Sequence, residues 1–257
     1  MIFNDSDRAW EKFGKQDPYY GVLTADKYRK YKLTERSKEE FFKSGYDYIN
    51  TVLNNIKKYI DPAYSIKKGL DFGCGVGRLV IPLAEVSESV VGVDVSISML
   101  NEAKRNCELR FVRNVKFLIS DDNLSLLHDK YDFIHSFIVF QHIPIKRGEH
   151  LFLKLLEHLD YGGVGVLHFT YAVRDNNGKF RKLVTWLKSY VPLVGNFINL
   201  IRKRSFFAPY MQMNMYNLNR LFFIMQNNNV RNLYCEYSDH DGALGITLYF
   251  NKYKKTD

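Results

Sequence analysis

The stretch GLDFGCGVGRLVIPLAEVSESVVGVDVS, residues 69–96, places three glycines at alternate positions between two short apolar runs. Glycines at 73, 75 and 77 let the backbone turn sharply from a strand into a helix and let a ligand approach the amides closely. Asp94 ends the second apolar run, 21 residues after Gly73. An acidic side chain at about this distance binds ribose hydroxyls in doubly wound sheets. The stretch therefore predicts a glycine loop that binds a ligand containing ribose.

The pattern around the glycines separates two classes of ligand. A nicotinamide dinucleotide loop, GxGxxG, requires glycine or alanine where this chain has Arg78, and it gives no reason for Asp71 before the loop. LDFGCGVGRL instead resembles the DxGxGxG loop of class I S-adenosylmethionine (SAM)-dependent methyltransferases. The resemblance extends from Gly69 to Tyr171, because GVDVSISML, VKFLISDDNLSLL and YDFIHSFIVFQHIP resemble three further segments of that family in order.

The resemblance implies which residues hold SAM and its product S-adenosylhomocysteine (SAH). The loop would lie against the methionine part of the cofactor, Asp71 would accept from its α-amino group, and Asp94 would accept from both ribose hydroxyls. Asp121 would accept from the adenine amino group, with Asp122 as a competitor for that role. The other cofactor-binding residues implied in this way are Gly73, Cys74, Gly75, Gly77, Arg78, Val95, Met99, Ser136 and Phe137.

Short apolar runs alternate with helical segments after Gly69, which is typical of βαβ units on a parallel sheet with helices on both faces. We therefore expect an α/β fold with a Rossmann-like, doubly wound, mostly parallel seven-stranded sheet, a helical N-terminal cap and an inserted helical lid. The expected segments are a cap over 1–64, a cofactor-binding core over 65–171, a basic amphipathic insertion over 172–215, and a C-terminal helix with the last two strands over 216–257.

The composition narrows the class of protein. Of 257 residues, 46% are hydrophobic and 25% are charged, which argues against disorder and against a coiled coil. MIFNDSDRAW lacks the features of a signal peptide and no apolar run is long enough to span a bilayer, so we expect a cytoplasmic protein. The three cysteines are far apart and form no CxxC pair, so we expect neither a disulfide framework nor a metal site.

The net charge of +9 is concentrated in one segment. Residues 174–204 contain eight Lys and Arg side chains and one Asp, interleaved with apolar side chains such as Trp186 and Phe197. This pattern is compatible with three roles for residues 179–204. They would lie on an anionic membrane surface, hold a phosphorylated acceptor as a lid, or pack as a solvated helix pair.

Methyl transfer from a sulfonium is an in-line displacement that depends mainly on holding the acceptor close and aligned. A hydroxyl or a protonated amine also needs a base. The candidate base is His142 in VFQHIP, for which capping of the next helix is the alternative role. Tyr20 is a second candidate catalytic residue. The candidate substrate contacts are Tyr19, His168, Tyr171 and His240.

The segment after the predicted fourth strand bears on the methyl acceptor. It reads SFIV, whereas nucleic-acid amino methyltransferases have Asn or Asp followed by Pro-Pro and an aromatic residue. FQHIP together with an aromatic cap resembles methyltransferases that modify saccharide precursors. We therefore expect transfer to an O or N atom of a small polar acceptor, phosphorylated or saccharide-linked. Two alternatives stay open: an RNA- or DNA-modifying methyltransferase, and a non-catalytic module that binds the cofactor.

Overall fold

The computed structural model describes residues 6–174 and 211–254, and a sheet of seven strands runs through this part of the chain. Its strands are β1 (Lys68–Phe72), β2 (Ser89–Asp94), β3 (Val115–Ile119), β4 (Tyr131–Ser136), β5 (Leu159–Val173), β6 (Val230–His240) and β7 (Ala243–Lys252). The strand order is β3-β2-β1-β4-β5-β7-β6. The first five strands pair in parallel, and β7 is antiparallel to both of its neighbours.

Of the described α-helices, three precede β1 and four lie between strands. They are α1 (Ser6–Gln16), α2 (Pro18–Val22), α3 (Glu35–Tyr59), α4 (Val80–Glu85), α5 (Ile97–Leu109), α6 (Ile145–His158) and α7 (Leu218–Asn227). The side chains of Thr34, Ser96 and Asn217 accept hydrogen bonds from backbone amides in the first turns of α3, α5 and α7. These caps satisfy amides that have no partner within the helix. Each of the three helices therefore begins where a capping residue occurs in the sequence.

Apolar side chains cover the sheet on both faces. Phe152 of α6 and Leu221 of α7 pack with Phe169 of β5 on one face. On the other face, Ile49 of α3 and Leu83 of α4 join a second cluster. This arrangement confirms the doubly wound fold that was expected from the alternating pattern.

From β1, strands β2 and β3 follow toward one edge of the sheet, and from β4, strands β5, β7 and β6 follow toward the other edge. The direction of the strand order therefore reverses between β1 and β4. In open α/β sheets the crevice at such a switch point, outside the carboxyl ends of the strands, is where ligands bind. The glycine loop follows β1 directly, and Asp94 is the last residue of β2. The fold thus brings the glycine loop and Asp94, which lie near the two ends of residues 69–96, to one crevice.

Most of the expected insertion lies outside the described residues. Residues 175–210 contain the whole of the segment 179–204 with its Lys and Arg side chains, so its roles as a lid or a membrane-surface segment stay expectations. Within residues 6–174 and 211–254, no helix is both long enough and apolar enough to cross a bilayer.

Helix α3 packs closely at Gly45 against Arg78, the residue that follows the glycine loop. A Cβ at position 45 would collide with the Arg78 carbonyl oxygen. We expect Gly45→Ala to lower the unfolding free energy by about 1–3 kcal/mol, since a backbone atom cannot move aside as a side chain can. For a protein of this size, thermal denaturation should show a fall of about 2–4 °C per kcal/mol.

The matched control is Gly69→Ala in β1, where an added Cβ would meet only ordinary contacts, the nearest at 3.6 Å from Val90. An equal loss of melting temperature in both variants would contradict the proposed close packing of α3 on the loop.

Candidate functional site: a cavity at the carboxyl ends of β1, β2 and β4

The loop after β1 has a backbone that only glycine adopts easily. Gly73, Gly75 and Gly77 have φ angles of 74°, 53° and 85°, in the left-handed region that L side chains rarely occupy. The Gly73 and Cys74 amides both donate to the Val93 carbonyl of β2, at 2.8 and 3.0 Å. A Cβ on Gly75 would lie 2.7 Å from Val22 of α2. The loop is therefore held against β2 and left without side chains where a ligand would approach.

The side chain of Asp94, at the end of β2, also holds the glycine loop in place. Its Oδ2 accepts from the Gly75 amide and its Oδ1 accepts from the Ser96 amide, both at 2.9 Å. Burial raises the pKa of Asp94 to about 6, although these backbone donors act to lower it. The carboxylate lines the cavity described below, so a ligand can reach it.

Asp71 is the second buried carboxylate of the site. Its Oδ1 lies 2.8 Å from His135 Nδ1 on β4, and His135 Nε2 lies 3.2 Å from the Tyr48 hydroxyl on α3. Burial raises the pKa of Tyr48 well above its ordinary value, so the hydroxyl keeps its proton and donates to Nε2. A carboxylate only accepts hydrogen bonds, so Nδ1 donates to Asp71. His135 thus orients Asp71 and is itself fully buried.

A cavity of about 530 Å³ opens at this point. Of the residues singled out from the sequence, the structure brings eleven to its walls: Asp71, Gly73, Cys74, Gly75, Arg78, Asp94, Val95, Met99, Phe137, His142 and His240. The cavity is also lined by Asp239 and His240 at the end of β6 and by Asp241 in the turn that follows. One continuous space therefore joins the glycine loop to the C-terminal strands.

Several residues expected to contact the cofactor do not line this cavity. The Asp121 carboxylate is turned into its own loop, where it accepts from the Asn123 and Ser125 amides. Asp122 binds Arg147 at 2.6 Å, and the Ser136 hydroxyl donates to the Phe72 carbonyl at 2.9 Å. Gly77 lies where the loop turns toward α4, its amide donating to Cys74 O. These four residues therefore lie outside the cavity walls in this structure, and their contacts with the cofactor stay predictions.

The four expected contacts at Tyr19, Tyr20, His168 and Tyr171 also fall outside the cavity walls. The Tyr19 hydroxyl lies 2.8 Å from Glu102 Oε1, and the Arg29 guanidinium covers the Tyr20 ring at 3.7 Å. His168 is buried behind the turn and bonds Ser238 at 3.0 Å. Tyr171 packs against the core beneath α6 and α7. These side chains pack within the fold, and the catalytic or substrate roles expected for them stay predictions.

His142 reaches the cavity, but both of its ring nitrogens are engaged. Nδ1 lies 2.7 Å from the Gln212 carbonyl, to which it must donate, and Nε2 accepts from the Gln141 side-chain amide at 3.1 Å. Burial lowers the pKa of His142 to about 4. The ring is therefore neutral and has no free lone pair in this arrangement, which contradicts its expected role as the base.

Sequence reasoning missed the part of the wall that comes from α1 and α6. Trp10 packs its ring 4.9 Å from that of His142. Arg147 donates to Asp7 at 2.6 Å and closes the same side of the cavity. Both contacts join segments more than 130 residues apart, and no motif near either segment indicates the pairing. Among the described residues, no group of three or more His, Cys, Asp or Glu side chains could hold a metal ion.

The sheet order, the glycine loop and the two buried aspartates together define a class I, SAM-dependent methyltransferase domain. Residues 70–163 match the family described as "Methyltransferase domain". The resemblance noted in the sequence and the cofactor it implied, SAM, are thereby confirmed. The roles of individual residues toward SAM belong to the proposals below.

Similar proteins share this domain and differ elsewhere. The chain is 30% identical over 143 residues to a probable SAM-dependent methyltransferase, TehB, from Haemophilus influenzae, which covers 54% of this chain and 47% of TehB. It is 36% identical over 81 residues to an uncharacterized RNA methyltransferase from Aquifex aeolicus, 32% of this chain and 18% of that protein. The chain thus spans about half the length, or less, of these curated relatives.

Among solved structures, the fold resembles magnesium protoporphyrin IX methyltransferase (ChlM) from Synechocystis with bound SAM. The TM-score is 0.61 at 16% identity, over 98% of each chain. The likeness extends beyond the matched domain to the helices and strands on either side of it. At this level of identity it supports the fold and not the acceptor.

We expect His142 to remain neutral between pH 5 and 8, because burial lowers its pKa to about 4. Its Nδ1–H tautomer should appear in a two-dimensional ¹H–¹⁵N spectrum of the ring nitrogens, with the signal assigned by its absence in His142→Gln. A titration midpoint near the ordinary histidine value of about 6.5 would show that the ring is free to act as a base.

Proposed function

We propose that the chain transfers a methyl group from SAM to an O or N atom of a small polar acceptor. The observation that carries the proposal is the cavity whose walls include the glycine loop, the two aspartates, the end of β6 and the turn that follows it. Such a space holds a cofactor and an acceptor side by side. Holding two reactants in this way supplies much of the rate enhancement for a displacement reaction.

At the cofactor end, the residues fit SAM by charge and by shape. Gly73 and Gly75 line the cavity and have the left-handed backbone that lets the loop turn beside it. The Oδ2 of Asp71 has no hydrogen-bond partner among the described residues, because His135 uses only Oδ1. It would accept from the ammonium of the methionine part, while Asp94 would accept from the ribose hydroxyls. SAM itself supplies a methyl group activated by a positively charged sulfur.

At the acceptor end, one carboxylate has no ion pair among the described residues. Asp239 pairs with Arg174 at 3.2 Å, and Arg147 in the cavity wall is paired with Asp7 and Asp122, whereas Asp241 lines the wall without such a pair. An anionic acceptor would meet the unpaired negative charge of Asp241, which disfavours binding. The cations expected to hold a phosphorylated acceptor belong to residues 179–204, outside the described part of the chain. A hydroxyl or amine acceptor is therefore the form of the proposal that these contacts support.

His240 is the candidate proton acceptor in place of His142. Its ring is exposed at the cavity wall and contacts Phe137 and His168 at centroid distances of 6.0 and 5.4 Å. None of the described residues forms a hydrogen bond with its ring nitrogens. A neutral imidazole with a free lone pair can take the proton that an acceptor hydroxyl or ammonium loses.

The RNA- or DNA-modifying alternative rests on relatives such as the Aquifex RNA methyltransferase, whose match covers only 32% of this chain. A match over so small a part of both chains does not identify the methyl acceptor. The non-catalytic alternative would leave the space beside His240 without a role. Both alternatives become outcomes of one experiment.

The experiment begins with calorimetric titration of the protein with SAM, SAH and, as a control, NAD. We expect binding of SAM and SAH and none of NAD. Labelled SAM is then incubated with sets of amines, polyols, their phosphorylated counterparts and RNA. Label in amines or polyols supports the proposal, label in RNA favours the nucleic-acid alternative, and binding without transfer favours a cofactor-binding module. Binding of NAD alone would overturn the assignment of the loop.

We expect Asp94→Asn to weaken SAM binding roughly 10- to 100-fold, because charged hydrogen bonds contribute about 1.5–3 kcal/mol. Burial raises the pKa of Asp94 to about 6, so the wild type should also lose affinity as the pH falls through 6 and the carboxylate becomes protonated. Calorimetry from pH 5 to 8 measures both effects.

The control is Asp129→Asn, at an exposed carboxylate that pairs with Lys68. It should bind as the wild type does, whereas the pH dependence near 6 should disappear in Asp94→Asn. An unchanged affinity in Asp94→Asn would exclude this carboxylate from the cofactor site.

A further inference from the structure

A second pocket, of about 480 Å³, opens beside β6 and adjoins the first cavity. Phe137 and His240 line both spaces, so the two meet at the candidate proton acceptor. The volume falls within the range of pockets that hold small molecules. The rest of the wall of this second pocket includes Tyr48, Tyr234, Glu236 and Thr247.

Glu236 places a carboxylate in the wall of the second pocket. No ion pair among the described residues includes it. Its two oxygens accept instead from tyrosine hydroxyls, Oε1 from Tyr234 at 3.2 Å and Oε2 from Tyr249 at 3.0 Å. Burial raises the pKa of Tyr249, so this hydroxyl keeps its proton and donates. The two tyrosines therefore hold the carboxylate in place and leave its negative charge without a cation.

Aromatic rings share the wall with this carboxylate. Phe137 packs against Tyr48 with ring centroids 4.2 Å apart, and Tyr234 stacks on Tyr59 at 3.8 Å. Because these contacts already fix the rings, a ligand would not have to order them on binding. The face of an aromatic ring attracts a cation within about 6 Å. A carboxylate and ordered rings in one wall fit a cationic group better than a neutral or anionic one.

The position of Glu236 on β6 indicates how long such a ligand would be. The pairing of β6 with β7 runs without a shift from Glu236, opposite Thr247, to His240, opposite Ala243. Glu236 and His240 are an even number of residues apart, so their side chains share one face of the strand. At roughly 3.3 Å per residue, the two positions are about 13 Å apart. A ligand that reaches both needs two polar ends at about this separation.

We propose that the second pocket is a subsite for a second cationic group of the methyl acceptor, bound by Glu236 and the rings of Phe137 and Tyr234. This assignment rests on the proposed function, in which His240 takes a proton from the acceptor. It narrows the acceptor class to linear amines with two positive charges, such as long diamines and polyamines. Asp241 lines the first cavity without an ion pair among the described residues, so each end of such an amine would meet a carboxylate.

The test is calorimetric titration of the full chain, saturated with SAH so that no amine occupies the cofactor site. The probes are diaminodecane, aminodecanol, in which a hydroxyl replaces the second ammonium, and diaminopropane, which is too short to span the two positions. We expect the wild type to bind diaminodecane about tenfold more tightly than either other probe, as for a partly exposed charged contact. Glu236→Gln should lose this preference and keep its affinity for SAH.

Two further variants complete the comparison. Tyr234→Leu removes a ring and keeps the carboxylate, so its preference for diaminodecane should fall about two- to fivefold. Glu85→Gln is the matched control, because Glu85 also accepts from a tyrosine hydroxyl, that of Tyr46, and lies outside the walls of both spaces. It should bind all three probes as the wild type does.

The outcomes separate the inference from the proposed function. A wild type that binds SAH but none of the probes, or that binds diaminodecane and aminodecanol equally, overturns the inference and leaves the proposed function standing. A preference for diaminodecane that persists in Glu236→Gln also overturns it. A wild type that binds neither SAM nor SAH contradicts the proposed function, and the acceptor subsite falls with it. Affinity for SAH also reports folding, because a variant that keeps it retains the rest of the site.

Discussion

The hydrogen bond from the Gly75 amide to Asp94 is the contact on which the rest of the site depends. It joins the loop after β1 to the end of β2, and the Gly73 and Cys74 amides reinforce this junction by donating to Val93. Only a loop with positive φ angles can turn its amides toward β2 and the cavity in this way. The glycines are therefore required by the backbone geometry first, and the open space for a ligand follows from it.

The N-terminal helices complete the cavity by fastening to elements near that junction. Glu11 of α1 accepts from Ser96 and Ser98 at the start of α5. Burial alone would raise the pKa of Glu11, but the hydrogen bonds from Ser98 and Ser96 lower it to about 2. A carboxylate at a helix N-terminus also meets unpaired amides and a favourable dipole. Helix α1 is thus held beside Asp94 and the cavity by the residues that follow Asp94 in the chain.

The sequence predicts the half of the site that is built from contiguous stretches. Gly73, Gly75, Asp71 and Asp94 lie within one strand–loop–helix–strand unit, so their spacing alone places them at one end of the sheet. The orientations of Asp121 and Ser136 are harder to predict. Asp121 comes shortly after β3 and Ser136 ends β4, but whether each side chain turns toward the cavity depends on local hydrogen bonds, here to Ser125 and Phe72.

The acceptor half is less predictable because distant segments form it. Trp10, Arg147 and the turn from Asp239 to Asp241 meet only after the sheet has formed, and their pairing leaves no periodic signal. The histidines show the same limit. His142 follows the expected strand, but Gln212 and Gln141 use both of its nitrogens, whereas His240 keeps its nitrogens free at the end of β6. The number of hydrogen bonds already made decides which histidine can accept a proton.

Charge burial links the two halves of the site. In this fold Asp94 has a pKa raised by burial, and Arg78 has a guanidinium without an anionic partner. The buried guanidinium makes the unliganded chain less stable than an apolar residue of similar size would, whereas Asp94 also fastens the loop through its hydrogen bonds to the Gly75 and Ser96 amides. A cation without an anionic partner and a carboxylate of raised pKa in one cavity are more readily explained by a ligand that carries polar groups than by the needs of folding. The proposed cofactor carries such groups, so the ionisable groups in this wall would favour its binding over that of an apolar ligand.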